Sequence, residues 1–221
     1  MDSNLIYRIA ISLVPLMIAI VFHEVSHGLV ARKLGDPTAA ERGRLTLNPL
    51  KHVDPFGTVI LPLLLAISHA PIFGWAKPVP VDYRRLKNPR RDMVLVALAG
   101  PGMNVLLALV GSAILAATLS FSGPRFLVDA AFVFVITNVF LAVFNMIPLP
   151  PFDGGHVAEG LLPPRLGQQF RKIGRYSLLV FMILLLVLPQ ISPKADIVGR
   201  AVDPIVDTIA RFVLGIFNIA I

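Results

Sequence analysis

Two histidines four residues apart with a glutamate directly after the first, His23-Glu24-Val25-Ser26-His27, are the residues of this chain whose types and spacing can do chemistry. On a helix, positions i and i+4 share a face, so both imidazoles can reach one metal ion while Glu24 sits beside them to handle an activated water. In a soluble chain, exposed or core histidines would explain so short a motif equally well. Here it lies inside an apolar stretch, residues 9–31. In lipid each unpaired ionisable side chain costs about 2.5–3.5 kcal/mol even on a lenient insertion scale, so a cluster of them calls for a site. Imidazole and carboxylate donors suit Zn2+. The chain has no cysteine, which excludes thiolate ligands, a cysteine nucleophile and disulfides.

A catalytic zinc typically takes three protein ligands and a water, so a third ligand is required. Glu41 follows the first helix but lies in a polar loop with nothing to fix it. Asp153 is the better candidate. It stands in Asn145-Met-Ile-Pro-Leu-Pro-Pro-Phe-Asp-Gly-Gly155, where prolines stop a helix and two glycines permit close backbone approach. The same aspartate could N-cap a helix starting at Gly154, a role compatible with ligation. His156 is expected to be carried away towards the interface by that helix. His52, Asp54 and His69 lie near membrane edges and read as solvated or locally hydrogen-bonded.

The elements that must position these residues belong to a membrane protein. Hydrophobic residues make up 56% and charged residues 15% of the 221, against about 45–50% and about 25% in soluble chains. Stretches 93–124 and 130–152 are long enough to span, 176–193 is slightly short, and 9–31 is a fourth span carrying the histidines. The N-terminus lacks a basic region and a small-residue cleavage site, so 9–31 is expected to remain in the mature protein. Residues 58–68 are too short to span and read as re-entrant or buried. In 201–221, Asp203, Asp207 and Arg211 form one charged stripe, compatible with an interfacial helix or with a packed span. Segments 43–50 and 73–81 alternate apolar and polar residues and read as short strands or extended hairpins at the membrane edge. The expected fold is therefore an all-α polytopic transmembrane helix bundle, a single domain over 1–221, with short membrane-edge strands or a re-entrant segment.

A net charge of +7 could suggest nucleic acid, but the basic residues cluster as membrane topology demands. Five lie in 32–51, six in 77–91 and four in 165–175, together 15 of the 20 Lys and Arg. Placing all three segments in the cytoplasm requires 58–68 to enter and leave on one side. The first helix then runs from outside to inside, and Asp153 emerges on the same side as His27.

Three segments together resemble the site-2 protease family of intramembrane zinc metalloproteases: His23 to His27, Gly100-Pro-Gly-Met-Asn104, and Asn145 to Gly155. The resemblance implies that His23, His27 and Asp153 bind zinc, that Glu24 is the catalytic acid/base, and that Asn145 contacts the substrate or the developing oxyanion. Phe152 departs from the leucine the family often places before the aspartate. No PDZ or nucleotide-sensing domain is recognisable, so regulation by one is not expected. Asn104 and Asn138 read more plainly as interhelical hydrogen bonds, with Gly100 and Gly102 allowing close packing.

The expected function is zinc-dependent hydrolysis of peptide bonds in transmembrane protein substrates, near the cytoplasmic side of the cell membrane. The partners are such substrates and the lipid bilayer, with no nucleic acid, and nothing in the sequence sets the oligomeric state. A metal or proton transporter would need polar residues along several spans, whereas here they gather at one level. A non-proteolytic zinc-dependent membrane enzyme is disfavoured only by the resemblance. Because the chain lacks cysteine, single cysteines report topology cleanly. Introduced at Thr46 and at Lys87, they should react with an impermeant reagent only from the cytoplasmic side; labelling from opposite sides would mean that 58–68 spans.

Overall fold

A computed structural model describes residues 3–67, 74–192 and 196–220. Ser68, His69 and Phe73, which fall in stretches singled out above, lie outside the described residues, as do 193–195.

Three helices have the length and apolarity to cross a membrane: α1 (Ser3–Lys33), α4 (Pro89–Ser120) and α5 (Arg125–Asn145). They pack against one another as the centre of the bundle. Between α1 and α4 lie α2 (Thr38–Glu41) and α3 (Leu61–Ile67), the latter entered through a π-helical turn at Pro55–Ile60. After α5 come α6 (Asp153–Leu161), α7 (Pro164–Met182), α8 (Leu188–Ile191) and α9 (Ile197–Gly215). Pro164–Lys172 and Tyr176–Ile191 are inclined at 57°, so together they form a broken span or a re-entrant loop. The chain is an all-α polytopic bundle, as expected.

Proline and side-chain caps set the local boundaries. Pro89 opens α4, where its missing N–H is one a helix start leaves unused, and the Asp92 carboxylate reaches back to accept from the Asn88 N–H at 2.7 Å. Asp54 caps the turn at Pro55 by accepting from the Phe56 and Gly57 N–H groups. Helix α9 buries Val202, Ala210, Val213 and Leu214, the last three joining Val135 and Val139 of α5 in one apolar cluster. Its charged stripe is exposed, with Arg211 bonded to Asp207 at 2.9 Å. In the short apolar element, Phe56, Ile60, Leu63, Leu64 and Ile67 are exposed, as a lipid-facing or re-entrant segment requires.

The strands expected at 43–50 and 73–81 are not formed among the described residues. Both stretches run irregular, the first ending in a 3-10 turn at Pro49–Lys51, because their hydrogen bonds go to several separate segments instead of one neighbouring strand. The Lys77 N–H donates to the His52 carbonyl and the Trp75 N–H to the Gly57 carbonyl, while Arg44 Nη2 donates to the Lys77 carbonyl. Pro78 and Pro80 have no N–H to give a ladder. At the far end, Asp82 N–H donates to Asp36 Oδ2 at 2.6 Å.

Asp36 ties α1 and α2 to this stretch. It is fully buried, and its carboxylate accepts from the Thr38 N–H and hydroxyl as well as from Asp82. Burial works against its charge, yet these hydrogen bonds prevail and hold its carboxyl below the usual range. Asp36→Ala strands those buried donors and should lower stability by about 1–3 kcal/mol. Thermal unfolding in detergent checks this; an unchanged midpoint would contradict it.

Candidate metal centre

Helix α1 turns His23 and His27 inward, where both are buried. Their Nε2 atoms lie 3.0 Å apart. Asp153 completes a triangle, with Oδ2 3.2 Å from His23 Nε2 and Oδ1 3.4 Å from His27 Nε2. Donor atoms arranged tetrahedrally at about 2.0–2.1 Å from one zinc ion lie about 3.3 Å apart, so the spacing fits.

The tautomers follow from the partners of the other ring nitrogens. His27 Nδ1 faces the Val96 carbonyl at 2.7 Å, an oxygen that only accepts, so Nδ1 carries a proton and the neutral ring offers the Nε2 lone pair that a metal ion takes. For His23 the orientation is set by two amides. Asn138 Nδ2 donates to the Phe134 carbonyl, which leaves Asn138 Oδ1 to accept from Asn104 Nδ2 at 2.9 Å. Asn104 Nδ2 also points at the Ala19 carbonyl, so Asn104 Oδ1 is the atom that meets His23 Nδ1 at 2.6 Å. His23 Nδ1 is therefore the donor, and its Nε2 likewise presents a lone pair. Two lone pairs and a carboxylate thus face one another, an arrangement that repels unless a cation sits among them. Asp153 Oδ2, buried and without a hydrogen-bond partner, fits the same conclusion.

Glycine and proline bring the third donor in. Helix α5 stops at Asn145, and the loop folds back so tightly that a Cβ on Gly154 would collide with the Met146 and Ile147 carbonyls. One on Gly155 would lie 2.6 Å from the Pro150 nitrogen. Phe152 anchors the loop in an aromatic cluster, with ring centroids 4.9 Å from Phe144 and 4.7 Å from Phe181. Asp153 is the first residue of α6 and the N-cap position falls on Phe152, so the capping alternative falls away.

Glu24 and Asn145 line the same cavity, of about 670 Å3, as the triad. Glu24 Oε2 accepts from the Val79 N–H at 2.7 Å. Asn145 Nδ2 donates to the Leu141 carbonyl of its own helix at 3.0 Å. His156 also lines the cavity but does not join the triad. Glu41 is spent on an exposed ion pair with Arg85, and buried His52 bonds to the Thr46 carbonyl through Nε2.

Asn104 and Asn138 do make the interhelical bonds expected of them, but the partner of Asn104 is a ring of the triad. That consequence is invisible until α1, α4 and α5 are packed. Gly100 gives the close packing expected of it, admitting the histidine rings of α1 to α4, whereas Gly102 faces open space, contrary to expectation.

A polytopic helical bundle in which two buried histidines of the first span meet an aspartate at the start of α6 defines a membrane metalloprotein. The model of peptidase family M50 matches residues 11–128 and 121–188, and the chain belongs to that family of zinc metalloproteases, to which the site-2 proteases belong. It is 39% identical over 194 residues to the Bacillus subtilis (strain 168) protein named "Putative zinc metalloprotease YwhC", covering 83% of this chain and 85% of that one. To the Rip2 protein of Mycobacterium tuberculosis (strain H37Rv), similarly named, it is 31% identical over 179 residues, which are 80% of this chain and 66% of Rip2. To MJ0611 of Methanocaldococcus jannaschii it is 33% identical over 149 residues, 67% and 69% of the two chains. No solved structure matches.

A Cβ at Gly100 would collide with both imidazole rings, whereas one at Gly102 would meet nothing within 4 Å. Gly100→Ala should therefore lower the zinc content of the purified protein at least about tenfold, as loss of an orienting neighbour does. Gly102→Ala should keep its metal, and elemental analysis of the pair decides.

Proposed function

We propose that this zinc metalloprotease hydrolyses peptide bonds of membrane-spanning protein substrates within the bilayer, near the cytoplasmic side of the cell membrane. His23, His27 and Asp153 would hold Zn2+, and Glu24 would be the acid/base. The observation that carries the reading is the position of the triad and Glu24, around one cavity built into an apolar span. Zinc bound there supplies a Lewis acid that polarises a carbonyl and lowers the pKa of water towards about 7. Glu24 takes the proton from the attacking water and delivers it to the leaving amine. Asn104 and the Val96 carbonyl keep both imidazoles in the tautomer that offers Nε2. Asn145 has a second N–H and a carbonyl with which to meet the substrate or its developing oxyanion.

Supporting a membrane-borne substrate, α1 is apolar on either side of the histidines, and the three basic segments flank the ends from which His27 and Asp153 enter. The cavity continues to Arg90, Glu159 and Arg171, a polar mouth through which water can enter. A helical substrate hides its peptide bonds, so it must be locally extended before attack.

Glu24→Gln should retain stoichiometric zinc while kcat falls by about 10²–10⁴-fold, assayed on single-span peptides with a lipid extract run in parallel. Undiminished cleavage removes Glu24 from the mechanism, and turnover of lipid alone replaces the substrate class. Asp153→Ala should strip the metal or greatly weaken its binding, since three ligands fall to two, and His156→Ala should leave it in place. Zinc lost from the His156 variant and kept in the Asp153 variant would reverse that assignment.

A further inference from the structure

Residues 77–82 cross the catalytic cavity as a strap held by other parts of the chain. Lys77 is fixed twice, its N–H donating to the His52 carbonyl and its carbonyl accepting from buried Arg44. The far end is fixed by the Asp82 N–H on Asp36. Between these anchors stands Lys77-Pro78-Val79-Pro80. Lys77 and Val79 each precede a proline, which biases both towards extended backbone, and each proline locks its own φ. The same two prolines remove their N–H groups, so Val79 carries the single donor between Lys77 and Val81. That donor is spent on Glu24 Oε2 at 2.7 Å.

The approach depends on a gap in α1. Gly28 lies one turn beyond Glu24, and a Cβ there would sit 2.8 Å from Val79 Cγ1 and 2.5 Å from Leu45 Cδ2. Val79 itself is buried. The helix is thus pared at one position to let the strap backbone reach the carboxylate beside it.

We propose that Val79, through its backbone N–H, is a positioning residue for the catalytic carboxylate: it pins Oε2 and leaves Oε1 as the oxygen that takes and returns the proton. This rests on the reading of Glu24 as acid/base. A glutamate side chain has three rotatable bonds, and in an open cavity it would spend much of its time turned away from the reacting water. One charge-assisted hydrogen bond from a backbone that cannot itself relax removes that freedom. The strap carries no metal ligand, so its effect belongs to turnover and not to zinc affinity.

The test deletes the N–H. V79P removes it with a change of side chain, and replacing Val79 by its α-hydroxy analogue, which makes a backbone ester, removes it with the side chain kept. In the full-length, zinc-loaded protein, both should lower kcat on a cleaved single-span peptide about 10- to 100-fold, the range for loss of an orienting partner, with KM and bound zinc retained. V79A keeps the donor and should lose less than either. If V79P fails to fold, the ester decides alone. Parental kcat in the ester overturns the proposal, and so does a loss expressed through KM or zinc. Full activity of E24Q would instead overturn the reading of Glu24, so the two failures are distinguishable.

Discussion

The rest of the structure depends on one electrostatic constraint: two imidazole lone pairs and a carboxylate are held within 3.4 Å of one another inside an apolar bundle. Such a concentration of electron density is costly in a low-dielectric interior without a cation. Keeping the lone pairs pointed inward requires each ring to be fixed from behind by an acceptor, and this is where α4 and α5 enter. Val96 supplies a carbonyl to His27, and Asn104 an amide oxygen to His23, itself oriented by Asn138. An interhelical hydrogen bond in a membrane averages only about 0.6 kcal/mol, so these bonds matter less for stability than for which nitrogen faces the metal.

The same constraint explains where side chains are missing. Gly100 faces the histidine rings, Gly28 faces the strap, and Gly154 and Gly155 face their own loop's backbone. Each marks a contact in which a methyl group would hold the reacting groups apart. Proline does the complementary work. It ends α5 before Asp153, stiffens the strap and removes unneeded N–H groups from it. The catalytic geometry is set mainly by backbone, which has few ways to relax.

Much of this was legible in the sequence, and the physical reason is range. His23 and His27 share a face because a helix repeats every 3.6 residues, so their convergence is local. Asp153 stood out because Pro and Gly leave local signatures. Span lengths follow from bilayer thickness and composition. What the sequence could not disclose depends on elements meeting across the fold. Asn104 looked like an ordinary interhelical amide until its partner proved to be His23. Val79 gave no signal at all, since its contribution is a main-chain N–H that every residue but proline possesses. The flanking prolines, Pro78 and Pro80, were the available clue. Strand periodicity at 43–50 and 73–81 misled for a related reason: alternation reports a half-buried extended chain, and a chain can be extended by long-range anchors without any neighbouring strand.

Those anchors join two regions that composition alone would separate. Arg44 belongs to the basic segment after α1 and His52 directly follows it, yet both are buried and both hold Lys77, and Asp36 of the same segment holds Asp82. Charge patterning assigns these residues to a solvated loop, because topology rules count charge and not hydrogen bonds. Their burial shows a second use. A cavity around the His-His-Asp group that extends past the helix ends needs a wall there, and helices cannot supply one beyond their termini. The loop after α1 and the strap before α4 build that wall from irregular backbone, held by the hydrogen bonds of Arg44, His52 and Asp36. The extended chain that lines the cavity is thereby the same chain that touches Glu24, so the wall of the cavity and the orientation of the Glu24 carboxylate are one arrangement.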